Sequence, residues 1–130
     1  MKLLVGYKGT NVGRDLLKLA AERILAHGGE VYIITSLFGG EKTSQEQIRT
    51  AEENLESARK YLVEKGVTCE THLLIRGCTT GEDIVLFAEE NGIDEIMIGV
   101  KSRSKVGKLL FGSTAQFVIL KAGCPVTSVK

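Results

Sequence analysis

MKLLVGYKGTNVGRDLLKLAAERILAHGGEVYIIT, residues 1–35, contains one complete strand–helix–strand pattern, and this pattern decides the fold class. Residues 3–6 are an apolar run, as expected for a short buried strand. The helical spacing that follows begins with Thr10 or Asn11 as the N-cap and stops at Gly28 and Gly29. Residues 31–35 are apolar and rich in β-branched side chains, which predicts a second strand.

The same alternation continues to the end of the chain. A long helix is predicted after two overlapping capping boxes, Thr43 with Glu46 and Ser44 with Gln47. The remaining predicted elements are strand 67–75, helix 80–90, strand 95–100, helix 113–121 and strand 126–129. Alternating strands and helices form right-handed βαβ units. We therefore predict an α/β fold, a single domain over residues 1–130 with a doubly wound five-stranded parallel sheet of the Rossmann-like type.

Length and composition agree with a single globular domain located in the cytoplasm. The chain has 130 residues, of which 43% are hydrophobic and 25% charged, as in ordinary globular domains. Its apolar runs, for example 117–120, are far shorter than the roughly 20 residues that cross a bilayer. No long apolar segment or cleavage site follows Lys2, so we expect no secretory signal. The expected location is cytoplasmic, with no membrane association.

The cysteines and histidines give no catalytic or metal-binding pattern. Cys69, Cys78 and Cys124 match neither a CxxC pair nor a zinc ribbon. The two histidines, His27 and His72, are isolated, and no Ser/His/Asp or Cys/His set is visible. We predict no catalytic residues and no metal site.

The candidate site lies in the loops. Ligands of doubly wound sheets bind outside the carboxyl ends of the strands. Among the loops at that edge, residues 99–116 contain four cations and no carboxylate: Lys101, Arg103, Lys105 and Lys108. Without these four, the rest of the chain has 13 Lys and Arg against 16 Asp and Glu. The positive charge is therefore concentrated at one loop.

This loop has two interpretations from its residues alone. Gly112, Ser113 and Thr114 open a helix, where backbone N–H groups and the helix dipole attract phosphate. Ser113 and Gln116 also form an S-x-x-Q capping box, which explains both residues without a ligand. The loop is not a Walker A motif, because Leu109 follows Gly107 and Lys108.

The chain resembles the universal stress protein family over essentially its whole length. The resemblance rests on the element order, Gly99-x2-Ser102-x9-Gly112-Ser113-Thr114 leading into a helix, and Cys124-Pro125-Val126. It implies a five-stranded α/β fold that commonly dimerises. One branch of the family binds ATP through a G-x2-G-x9-G-[ST] loop after the fourth strand, and the other branch lacks bound nucleotide.

The resemblance also implies site residues, with two departures. Ser102 occupies the place of the middle glycine, and Lys8 stands where the nucleotide-binding branch has an aspartate that holds the ribose hydroxyls. A lysine cannot accept those hydrogen bonds. Ser36 matches a main-chain contact to the adenine. The implied nucleotide-binding residues are Tyr7, Lys8, Gly9, Thr10, Ser36, Gly99, Ser102, Arg103, Gly112, Ser113 and Thr114.

The expected function is that of a small stress-response protein that binds ATP, a related nucleotide or a polyphosphate and acts as a regulatory module. The alternative is a family dimer that binds no nucleotide and acts through protein contacts. We predict no enzymatic activity, slow ATP hydrolysis being the remaining alternative, because no Asp or Glu between Gly99 and Gln116 could orient water. Nucleic-acid binding is not predicted, since Phe111 is the only aromatic residue of the basic loop.

The expected partners are a second copy of the chain and an unidentified protein. We predict a homodimer through residues 126–129, because an edge strand offers unpaired N–H and C=O groups. Proline at Val126 or Val129 is expected to remove one of these donors.

Overall fold

The computed structural model describes residues 1–9, 11–100 and 112–130. Every predicted strand and helix is present, and the predicted α/β fold is confirmed. The elements are β1 (Lys2–Gly6), α1 (Asn11–His27), β2 (Glu30–Leu37), a 3-10 turn (Gly40–Lys42), α2 (Gln45–Glu64), β3 (Cys69–Ile75), α3 (Thr80–Glu90), β4 (Glu95–Gly99), α4 (Ser113–Lys121) and β5 (Val126–Val129). Of the helices described, none combines the length and the apolar character needed to cross a membrane.

The five strands form one parallel sheet in the order β3-β2-β1-β4-β5. Strand order reverses between β1 and β4, which makes the carboxyl ends of these two strands the switch point where doubly wound sheets bind ligands. Leu16, Leu55 and other residues of α1 and α2 pack on one face of the sheet. Ile84, Val118 and other residues of α3 and α4 pack on the other face.

Only one of the two predicted capping boxes forms at the start of α2. Ser44 is the N-cap, its side chain accepts a hydrogen bond from Gln47 N, and Gln47 Oε1 accepts from Ser44 N. Thr43 lies one residue before the cap, and its hydroxyl accepts from Gly39 N instead. The predicted box of Thr43 with Glu46 is therefore wrong.

The predicted capping box at the start of α4 is also wrong. The N-cap is Gly112 and not Ser113, and Gly112 has no side chain that could cap the helix. Ser113 is the first helical residue, one position too late for its hydroxyl to act as the cap. This excludes the interpretation in which Ser113 and Gln116 form a capping box.

Strand β5 is an edge strand, as predicted, but its two ends face different ways. Ile96 N donates to Pro125 O, and Val100 N donates to Val129 O. Successive residues of a strand direct their N–H and C=O groups to opposite sides. Val129 therefore faces β4, and the expectation that it offers an edge donor is wrong. Val126 and Ser128 direct their backbone groups away from the sheet.

A glycine sets the distance between α3 and α4. A Cβ placed on Gly81, in the first turn of α3, would lie 3.0 Å from Cβ of Phe117. Such a contact is tighter than most Cβ contacts, so a larger residue here would push the two helices apart or displace Phe117. Gly81 therefore contributes to the position of α4 against α3.

Candidate functional site

The switch point between β1 and β4 borders a cavity of about 470 Å³. Its size falls in the range of small-molecule sites. Its wall includes the loop after β1, the end of β2 and the first turns of α3 and α4. The cavity brings together seven of the predicted site residues: Tyr7, Lys8, Ser36, Gly99, Gly112, Ser113 and Thr114.

The other predicted site residues do not contribute to the described wall. Gly9 lies beside the cavity in a turn with φ +70°, and a Cβ on it would lie 2.7 Å from the side chain of Asn54. Its conformation favours glycine, and a larger residue would also have to displace the Asn54 side chain. Thr10, Ser102 and Arg103 lie outside the described residues. So do the other three cations of the basic loop.

The first turns of α1, α3 and α4 all contribute to the cavity wall, and α3 and α4 differ in how they are capped. At α3, Thr79 and Glu82 form a reciprocal capping box that the sequence analysis missed, although the T-x-x-E spacing is visible. At α4, Gly112 provides no side chain. The first N–H groups of a helix have no partner within it, and the dipole makes this end positive. The first turn of α4 is therefore better suited to an anion than the first turn of α3.

Charge in the wall also favours an anion. Lys8 is the one charged side chain among the described residues of the wall, and none of them carries a carboxylate. A concave site with charge of a single sign concentrates ligands of the opposite sign. Nor do the described residues contain a cluster of three or more His, Cys, Asp or Glu side chains that could hold a metal ion.

An ion pair between the buried Asp83 and the partly exposed Arg76 supports the end of β2. Ser36 Oγ donates to Asp83 Oδ2 at 2.5 Å, and Arg76 Nε donates to Asp83 Oδ1 at 2.8 Å. The Asp83 side chain is fully buried, and Arg76 also donates to Glu90 Oε1 at 2.8 Å. Hydrogen bonds to Glu90 and Asp83 raise the pKa of Arg76. Sequence reasoning missed Asp83, whose only signal is a carboxylate four residues before Phe87 on the apolar face of α3.

Tyr7 joins the loop after β1 to β2. Its N–H donates to Ile34 O at 2.9 Å, and its carbonyl accepts from Thr35 Oγ1 at 2.8 Å. The side chain is buried, and this burial raises the pKa of its phenol. Tyr7 therefore contributes a rigid, neutral part of the wall between the two strands.

The fold and the cavity define an α/β domain with a ligand-sized cleft at its switch point, walled by neutral and positive groups. The model of the universal stress protein family matches residues 1–130, and the chain belongs to this family.

Three relatives are similar over nearly all of this chain. The structure of a universal stress protein from Archaeoglobus fulgidus has a TM-score of 0.92 and 41% identity, with 100% of this chain and 98% of that one covered. A structure of the universal stress protein from Archaeoglobus fulgidus in complex with dAMP has a TM-score of 0.86 and 37% identity, with the same coverage. A universal stress protein of Synechocystis sp. is 30% identical over 129 residues, which are 99% of this chain but 42% of that relative.

Proposed function

We propose that this chain binds an adenine nucleotide in the cavity and acts as a regulatory module of the stress response in the cytoplasm. The phosphates lie at the N-terminus of α4, and the base lies at the end of β2. The observation that carries the proposal is the first turn of α4, Gly112 to Thr114, which begins at a residue without a side chain and lies in the wall of the same cavity as Ser36. The complex of a 37% identical relative with dAMP supports the same ligand class.

The dimensions of the sheet agree with this placement. Strand β1 lies between β2 and β4, and neighbouring strands are about 4.8 Å apart, so the ends of β2 and β4 are separated by about 10 Å. A nucleoside monophosphate spans such a gap, with the sugar above the end of β1. Lys8 follows β1 and lies in this central part of the wall.

ATP is the proposed nucleotide within this class. The first turn of α4 accommodates a phosphate, and the four cations in the sequence between Gly99 and Gly112 can neutralise a longer phosphate chain. Binding is proposed and not hydrolysis, since the described wall has no carboxylate to orient a water molecule.

The proposal is tested by thermal unfolding with and without millimolar dAMP or ATP. A ligand that binds only the folded protein raises its Tm by mass action. The variant Gly112→Val with Ser113→Ala crowds the first turn of α4 and is expected to abolish the rise. The matched control is Gly123→Val with Ser57→Ala, because a Cβ on Gly123 meets nothing within 4 Å. No rise in the wild type would contradict the proposal.

We also propose a homodimer through β5, the basis of the alternative in which the chain acts by protein contacts. The backbone groups of Val126 and Ser128 face outward at this edge. On neighbouring α4, the side chain of Leu120 is 78% exposed. A second copy would satisfy the edge groups and cover apolar surface. An unidentified protein partner would then recognise the dimer or the conformation of its loops.

A further inference from the structure

Two consecutive hydroxyl groups at the end of β2 each donate their only proton in a hydrogen bond within the protein. Thr35 Oγ1 donates to Tyr7 O at 2.8 Å, and Ser36 Oγ donates to Asp83 Oδ2 at 2.5 Å. Both residues belong to the cavity wall. A hydroxyl has one proton and two lone pairs, so each of these oxygens can only accept a hydrogen bond from a ligand.

The direction of the Ser36 hydrogen bond is held by buried charge. A carboxylate only accepts, and Asp83 is fully buried, so its Oδ2 atom needs a donor within the protein. Arg76 Nε occupies the other oxygen, and Glu90 holds Arg76 in turn. Turning the Ser36 proton toward a ligand would leave a buried oxygen without its donor, which is unfavourable. The Ser36 hydroxyl is therefore fixed as an acceptor.

We propose that Ser36, held by Asp83 and Arg76, selects purines with an amino group at carbon 6 over purines with an oxo group there. This inference rests on the proposed function, because it requires the base to lie at the end of β2. The 6-amino group of adenine donates hydrogen bonds, whereas the 6-oxo group of guanine or hypoxanthine accepts them. A 6-oxo group would place its acceptor oxygen against the acceptor oxygen of Ser36, which is unfavourable. Asp83 and Arg76 are positioning residues, and Ser36 and Thr35 meet the base.

Calorimetry with three ligands that differ at carbon 6 tests the selection. They are dAMP, dIMP and the 2′-deoxynucleotide of unsubstituted purine, with amino, oxo and hydrogen at this position. We expect dAMP to bind at least about tenfold tighter than dIMP, with the unsubstituted purine between them. Equal affinities, or tighter binding of dIMP, would overturn the inference and leave the proposed function standing. No binding of any ligand would overturn both.

The variant Asp83→Asn tests the mechanism of the selection. Its amide oxygen can accept from Arg76 while its amide nitrogen donates to Ser36 Oγ, which frees the Ser36 proton for the ligand. The ratio of dIMP to dAMP dissociation constants should then fall by about tenfold. The matched control is Asp94→Asn, an exposed carboxylate that accepts from Lys2 N and should leave the ratio unchanged.

Ser36→Ala provides a second variant, which keeps the ion pair of Asp83 with Arg76 but leaves Asp83 Oδ2 without its donor. It removes the acceptor, so the same ratio should fall while dAMP still binds. If Asp83→Asn does not fold, this variant decides the question. An unchanged ratio in a folded Ser36→Ala protein would contradict the assignment.

Discussion

Ser36 Oγ lies 2.5 Å from Asp83 Oδ2 and joins the end of β2 to α3 across 47 residues of sequence. Arg76 supplies the opposite charge on the other carboxylate oxygen. Because Asp83 is fully buried, removing Arg76 leaves a buried charge without compensation, which is destabilising. We expect Arg76→Met to lower the free energy of unfolding by about 2–4 kcal/mol, measured by urea denaturation. The matched control, Arg59→Met, removes an exposed pair with Glu56 and should change stability little, so equal losses would contradict this account.

Lys8 should determine whether the site distinguishes ribose from deoxyribose. The wild type is expected to bind AMP and dAMP about equally, because a lysine cannot accept a hydrogen bond from the 2′-hydroxyl. Lys8→Asp supplies an acceptor and should shift the preference toward AMP by about tenfold. The ratio of the two affinities, measured by calorimetry, cancels the effect of the added negative charge on the shared phosphate.

Lys8→Met is the control for this experiment, since it removes the charge without adding an acceptor. It should weaken both ligands and leave their ratio near that of the wild type. A ratio that Lys8→Asp does not change would show that Lys8 lies away from the sugar.

Proline scanning along β5 should separate dimerisation from folding. Val126→Pro and Ser128→Pro each remove an outward N–H and should shift the mass seen by light scattering toward monomer, with the fold retained. Val129→Pro removes an N–H that faces β4 and should lower the Tm instead. A wild type that is monomeric at micromolar concentrations, or a dimer that both outward substitutions leave intact, would rule out this interface.

The close approach of α3 and α4 should matter for binding as well as for stability. Gly81→Val forces Phe117 to move and should lower the free energy of unfolding by about 1–3 kcal/mol. Because Phe117 belongs to α4, the variant should also weaken dAMP binding. Gly123→Val adds the same side chain in open space and serves as the control. Unaltered dAMP affinity in Gly81→Val would show that the position of α4 does not govern the site.

Local patterns were enough to predict the fold. Strands and helices were placed from apolar spacing, and helix ends such as Gly66 were placed from residues that act within one turn. The cap of α4 was misplaced by one residue, because Gly112 and Ser113 are both acceptable N-caps. The register of β5 with β4 decides which residues of β5 face outward. This register cannot be deduced from the sequence of one strand.

The candidate site was predicted only for residues whose place follows from the order of strands and helices along the chain. The site was expected at the carboxyl ends of the strands, and the cavity wall includes residues at the ends of β1, β2 and β4. The link from Ser36 to Asp83 was not predicted, because it depends on how α3 packs against the end of β2. Asp83 lies among apolar residues of α3, and a carboxylate in such a position indicates a buried partner that only the structure identifies.

The measurement that tests the central claim most directly is a titration of the isotope-labelled protein with dAMP, followed through backbone amide shifts in nuclear magnetic resonance. We predict saturable changes that are largest at the amides of Gly112, Ser113 and Thr114 and extend to Ser36. Amides at the opposite edge of the sheet, such as those of Gly28 and Gly66, should remain unchanged. Absence of shifts at millimolar dAMP, or shifts confined to the opposite edge, would contradict nucleotide binding in this cavity.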